Sequence, residues 1–298
     1  MKMLTNTNSQ SLFLGTLLSV ASCAVHAAAL DYDLTHINTY AVINSAIFTT
    51  PDNKTIVGTG VFDPFVRIQA ENGNDSVENG YNTDGRAVQF DTKDANQWSH
   101  SLLLSKVSTQ VVNGIKYREF FLDINESSGQ QGEQYLSLDD FRLFLGSVGT
   151  LVDYNLTTNT LTGATKVYDL DTAAINNTVG LDYSNFSGSG NGIDLTVLVP
   201  DSVFAAAGNP QYVYLYSSFG SKGTVNNNQT CGGNGSKAIP CPTPASPVSP
   251  GVLPDGKYGA SAGFEEWSTR VGIPEPATYW LFGIGLAGLL SLRRLNLR

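Results

Sequence analysis

Ser261 sits in Gly-Ala-Ser-Ala-Gly, residues 259–263, the G-x-S-x-G spacing that in a hydrolase sharpens a strand-to-helix turn and exposes the serine as a nucleophile. That chemistry needs a strand before the turn, a helix after it and a histidine later in the chain. Here Phe-Glu-Glu-Trp follows, and no histidine lies beyond Ser261. Past the N-terminal segment only His36 and His100 remain, without the H-E-x-x-H spacing of a zinc peptidase. Asp139, Asp140, Glu265 and Glu266 offer carboxyls for a glycosidase pair, which must flank one sugar from two sides. Neighbours on a strand point to opposite faces, so neither adjacent pair can do this by itself.

Two stretches carry the oxygen ligands that calcium prefers. Glu71, Asp75, Glu78 and Asp84 crowd into ENGNDSVENGYNTDGR, a pattern shared with solvated acidic loops. SGNGIDLT around Asp194 resembles one glycine-rich calcium nonapeptide, but Ser189 and Thr196 depart from it and a β-roll needs stacked copies. Tyr212, Tyr214 and Tyr216 alternate along one strand face, and Trp98 stands alone. Such rings form either a sugar-binding platform or cross-strand packing. No cofactor motif is found, and the expectation is a noncatalytic protein.

The elements that would position these residues are short. Runs such as YAVINSAIF, FVRIQ, KYREFFLDI, DFRLFLG, IDLTVLV and YVYLYSS are separated by Gly, Asn, Asp and Pro, with little amphipathic helix between them. The fold class expected is all-β, a single β-sandwich (jelly-roll-like) domain, flanked by an N-terminal signal helix and a C-terminal transmembrane helix. In REFFLDI the face of Arg118, Phe120, Leu122 and Ile124 is assigned to the core, and Tyr117, Glu119, Phe121 and Asp123 to the other side. A Gly/Pro/Asn-rich stretch, 221–262, cannot build a core. It is read as a loop inserted before a last strand, GFEEWSTRV, whose Phe264 and Trp267 dock back on the body.

Charged residues make up 14% of the 298, and the net charge of -9 argues against nucleic acid as a partner. Lys2, the apolar run SLFLGTLLSVASCAV and the small-residue end VHA have the three parts of a signal peptide over residues 1–27, followed by a body over 28–272. Cys23 in VASC also fits a lipoprotein cleavage site, but cleavage after Ala27 is preferred because it obeys the small-residue rule. The exported chain then keeps two cysteines, Cys231 and Cys241, spaced to close a small loop in an oxidising compartment, and a disulfide between them is expected.

The remaining stretch, 273–298, reads IPEPATYWLFGIGLAGLLSLRRLNLR. The apolar run 277–292 would reach only about 24 Å as a helix, at the lower limit for a bilayer core. Arg293, Arg294 and Arg298 would stay on the cytoplasmic side, and Pro274-Glu275-Pro276 would hold the chain extended at the outer surface. These three parts, in this order, resemble the PEP-CTERM sorting signal of Gram-negative bacteria. The resemblance implies recognition of Pro274, Glu275 and Pro276 by exosortase, a transpeptidase-like membrane enzyme, with removal of the tail. It also implies placement at a cell envelope that carries extracellular polysaccharide. GTGVFDPFVRIQ, GYNTDGR, YREFFLDINE, LSLDDFRLF, YVYLYSSFG and GFEEW resemble the bodies of other PEP-CTERM proteins, a group that supplies no activity to carry over. The function expected is that of a secreted protein of the surface or exopolysaccharide matrix. A carbohydrate-binding module and a glycoside-active enzyme are the alternatives.

Overall fold

A computed structural model of the chain describes residues 27–52, 63–70, 77–94, 97–126, 134–185, 192–205, 211–227, 246–260 and 263–270. Strands take 49% of it and helical turns 6%, as an all-β body requires. In chain order the strands are β1 (Ala28–Asp33), β2 (Tyr40–Ile43), β3 (Ala46–Thr49), β4 (Pro64–Ile68), β5 (Glu78–Tyr81) and β6 (Leu102–Leu103). There follow β7 (Thr109–Val112), β8 (Ile115–Asp123), β9 (Tyr135–Gly146), β10 (Tyr154–Asn155), β11 (Thr160–Leu161) and β12 (Ala164–Asp169). The last six are β13 (Ile175–Asp182), β14 (Leu195–Pro200), β15 (Tyr212–Phe219), β16 (Thr224–Val225), β17 (Gly256–Lys257) and β18 (Glu265–Ser268).

Two seven-stranded sheets organise them. The first runs β1-β13-β9-β15-β5, with β12 on β9 and β6 on β15; the second runs β2-β3-β14-β8-β18-β4, with β7 on β8. All the pairs are antiparallel except β1 with β13, a parallel pair that the antiparallel order of a jelly roll does not contain. Local sequence fixes the hairpins. Asn113 and Gly114 between β7 and β8 both take positive φ, 50° and 82°, the two-residue turn whose twist suits the flanking strands.

Both sheets contribute to one apolar core. Phe120 and Leu122 of β8, and Ile124 just beyond it, are buried as their alternation requires, whereas Arg118 at the head of that face turns to Asp201 and donates to the Leu104 carbonyl. Phe141 of β9 meets Phe48 of β3 at 5.9 Å, Phe120 at 6.1 Å and Trp267 of β18 at 5.0 Å. The Trp267 indole N–H donates to Ser217 Oγ of β15 at 3.0 Å, so the ring bridges the sheets. β18 lies between β8 and β4, far from its neighbours in sequence.

The segment that leads to it is also tied down. β16 pairs with β17, and Val225, Leu253 and Tyr258 pack together, with Tyr258 stacked on Tyr135 at 5.1 Å. Leu253 approaches Gly180 of β13 so closely that a Cβ there would stand 2.6 Å from it. Replacing Trp267 by Ala removes the largest buried ring and leaves Ser217 without its donor. The loss expected is about 3–5 kcal/mol, read as a lower denaturant midpoint at unchanged slope. A midpoint within experimental error of wild type would show that the two sheets do not depend on this ring.

Candidate functional site

The tyrosines of β15 do not form an open platform. Tyr214 and Tyr216 are buried under the segment that carries β10 and β11, in a cluster with Tyr81, Phe144, Tyr154 and Leu161. The Tyr214 hydroxyl accepts from the Leu151 N–H and donates to the Val148 carbonyl, and Tyr216 stacks on Tyr154 at 4.1 Å with the rings 6° apart. Only Tyr212 stays half-exposed. Trp98 is committed as well, because the Arg67 guanidinium lies 3.4 Å from its centroid and 4.1 Å from that of Phe264, held edge-on by the Glu266 carboxylate.

The carboxyls are distributed as structural groups. Asp139 is the extra residue of a bulge on β9, since Ser218 pairs with Asp140 and Phe219 with Leu138. It accepts from Ser137 Oγ at 2.9 Å and from the Ser221 N–H at 2.7 Å, and burial lifts its pKa to about 6. Asp140 turns the other way, to Arg142. Asp123 and Asp194 are both buried near the end of β8. Burial first, and then the charge of Glu266, raises Asp123 to about 7, and burial raises Asp194 well above its ordinary value. Asp194 also accepts the Ile124 N–H at 2.8 Å. Asp139 and Asp140 engage different partners and do not flank one site, as a glycosidase pair must.

Of the acidic turn, Glu71 and Asp75 lie outside the described residues. Glu78 and Asp84 flank β5 but do not converge: Glu78 faces the core, whereas Asp84 takes the Ser101 N–H at 2.9 Å and hydroxyl at 2.6 Å. Burial works against the Asp84 charge, yet those two bonds keep its pKa below the ordinary range. Among the described residues no group of three His, Cys, Asp or Glu is arranged as a metal centre.

An open cleft of about 690 Å³ lies among the described residues. Its lining includes Asp63, Phe65, His100, Lys106, Tyr212 and Arg270, brought together from widely separated parts of the chain. Hydrogen bonds from His100 N–H to the Phe65 carbonyl and from Leu104 N–H to the Gln211 carbonyl fix its walls. Arg270 is held by Glu119 at 3.2 Å. A second cleft of about 490 Å³ shares Leu103 and Ser105 with it and reaches Arg118 and Gln211. No sequence motif marks this groove. Of the aromatic candidates Tyr212, Tyr214, Tyr216 and Trp98, Tyr212 lines it and the others do not.

β18 ends at Ser268, and Thr269 and Arg270 form part of the cleft rim. Cys231, Cys241, Ser261, Pro274, Glu275, Pro276, Arg293, Arg294, Arg298, residues 1–26 and the run 277–292 lie outside the described residues. Among those described, no helix is long and apolar enough to cross a membrane. The C-terminal residues are placed by comparison: a family model for the PEP-CTERM protein-sorting motif matches residues 272–294. The chain carries a PEP-CTERM sorting motif. The match covers Pro274, Glu275, Pro276, Arg293 and Arg294. The PEP-CTERM motif implies export, anchoring through the C-terminal segment before processing, and processing by exosortase. No curated protein and no solved structure matches the chain.

On the outer face of the first sheet, Arg142 is the hub of a charged cluster. It contacts Asp140, and stands 3.1 Å from both Asp169 and Asp171, with the Tyr154 hydroxyl at 3.5 Å. Burial opposes its charge, but Asp140 and Asp169 hold it protonated; burial also lifts Asp171 to about 7. Arg142→Leu keeps the volume and abandons three partly buried aspartates, with a loss of about 3–5 kcal/mol expected at pH 8. Carboxyls raised in the folded state favour the fold as pH falls, so the deficit relative to wild type should shrink by pH 5. Melting curves at the two pH values check this, and a deficit independent of pH would rule out stranded carboxylates as its cause.

Proposed function

We propose that this is a noncatalytic secreted protein, delivered to the cell envelope by exosortase and retained at the surface or in its exopolysaccharide matrix. The observation that carries the reading is the sorting motif at residues 272–294, which begins directly after a folded body ending in β18. In this reading Pro274, Glu275 and Pro276 are substrate residues, Arg293, Arg294 and Arg298 hold the tail on the cytoplasmic side, and 277–292 is the temporary span. The body is a single sandwich, its two sheets closed over the core around Phe141 and Trp267. Cys231 and Cys241 form a disulfide in the loop that β16 and β17 close. The carboxyls serve packing and carry no catalysis, in keeping with the burial of Asp123 and Asp194 and the ion pair of Glu266 with Arg67.

The groove favours a second reading within the same class, that of a carbohydrate-binding module. Tyr212, which is half-exposed, offers a ring to the C–H side of a sugar, while Asp63, His100, Ser105 and Lys106 offer polar groups to its hydroxyls. A glycan array probed with the exported protein and with Tyr212→Ala tests it. Binding that is lost in the variant, with little change in melting temperature, is expected; equal binding by both proteins would remove the groove from consideration.

The sorting reading has its own experiment. Changing Pro274, Glu275 and Pro276 together to Ala in the native cell should leave export intact, while uncut protein accumulates in the membrane fraction, heavier by the mass of the tail. Wild-type protein recovered from the cell surface with Arg298 still attached would show the segment to be an ordinary anchor.

A further inference from the structure

β18 runs antiparallel to β8, with Glu266 opposite Asp123 and Ser268 opposite Phe121, so it points toward the first residues of β8. β7 lies on the same flank of β8, the one that β14 leaves free, from Thr109 opposite Arg118 to Val112 opposite Ile115. The two strands meet end to end. The Ser108 N–H donates to Thr269 Oγ1, and that hydroxyl donates to the Glu119 carbonyl. The β7–β8 hairpin therefore continues the line of β18 past Arg270, and its turn at Asn113 and Gly114 projects in the direction in which β18 runs. From Glu119 to Gly114 is about 17 Å, at roughly 3.4 Å per residue.

The tip of this hairpin is apolar on both faces. Val112 and Ile115 are cross-strand neighbours on one face, and Val111 stands beside Lys116 on the other. Val111 is 68% exposed, the highest value among the large apolar side chains described, and Ile115 is 52% exposed. A protein docking on one face of the sheet would leave the other face in water, whereas a bilayer surrounds whatever enters it. Below the tip the hairpin turns polar at Thr109, Gln110 and Lys116. Lys106 and Arg270, in one cleft wall with Ser108, stand at its base, so cations flank the tip at the height where lipid phosphates would lie.

The reach of the tail brings a bilayer to this tip. In the sorting reading the apolar span starts at Ala277, and the chain from Arg270 to Ala277 extends by at most about 25 Å. The headgroup layer occupies roughly 6 Å of that distance. With β8 upright on the membrane, the tip arrives at the headgroups even when the link is fully stretched, and any slack presses it in.

We propose that the β7–β8 tip, Val111 to Ile115, is a membrane finger that dips into the outer surface of the lipid bilayer while the tail is attached. It gives the body a second foothold beside the span. The proposal rests on the reading of 277–292 as a temporary span. Three aliphatic side chains hold a membrane weakly by themselves, so the contact depends on the tether and ends when the tail is removed.

The test uses the full chain in its native cell, with Pro274, Glu275 and Pro276 changed to Ala so that the tail stays on. p-Benzoylphenylalanine replaces Ile115 or, as a control, the equally exposed Leu156 between β10 and β11. After illumination the membrane fraction is analysed by mass spectrometry for lipid adducts. The probe at 115 should give several-fold more lipid adduct than the probe at 156. Val111→Asp, which puts a charge on the other face of the tip, should cut that yield several-fold without moving the melting temperature. Adducts to a second copy of the chain or to another protein in place of lipid overturn the proposal. So does an equal lipid yield at 115 and 156, or a yield that Val111→Asp leaves unchanged. Fractionation separates the two readings: uncut protein in the membrane with no lipid on the 115 probe removes the finger alone, whereas absence of uncut protein from the membrane removes the span and the finger with it.

Discussion

The indole of Trp267, set against Phe141 at 5.0 Å with its N–H on Ser217, ties the far end of the body into the space between the sheets. The remaining architecture depends on that contact. β18 supplies the only sheet partner of β4 among the described strands, and it is inserted between β4 and β8. The second sheet therefore stays incomplete until residues 263–270 have left the translocation machinery. A cut that spares the fold must fall beyond Ser268, and beyond Arg270 if the pair with Glu119 is to survive.

The same constraint explains why so many charges are buried in a chain of which only 14% is charged. Parts of both sheets are covered on their outer as well as their inner faces, so polar side chains there need partners. Arginine provides them through its planar fork: Arg67 lies between two rings and against Glu266, Arg118 reaches Asp201 and a carbonyl, and Arg142 gathers three aspartates. A lysine in these places would bring a point charge with no flat face to stack.

What the sequence disclosed follows from how local each signal is. Alternation in REFFLDI placed Phe120, Leu122 and Ile124 inward, because one strand carries the whole pattern. Glu119, Phe121 and Asp123 are buried as well, under chain from near Ile193 and Arg270 that no local pattern announces. On β9 the inward positions change from Leu136 and Leu138 to Phe141, Leu143 and Leu145 across the bulge at Asp139, a break in period that reads as noise until the partner strand is known. The tyrosines were legible as a face, and cross-strand packing was one of the two readings of it, but the hairpin of β10 and β11 that covers Tyr214 and Tyr216 comes from another part of the chain and carries no local signal on β15. The groove could not be read at all, because its lining spans Asp63 to Arg270 and exists only through tertiary packing.

The sorting motif is the opposite case, contiguous and independent of the fold, and its spacing from the body has a physical consequence. The chain from Arg270 to Pro274 can extend by at most roughly 15 Å at about 3.5 Å per residue. Arg270 and Thr269 line the groove, so the groove rim is held within that distance of the motif for as long as the tail is attached. Anchored protein therefore keeps this end of the body beside the membrane, where bilayer and processing enzyme compete with any large ligand for the same space. Removal of the tail lifts that restriction without altering a single contact among the described strands.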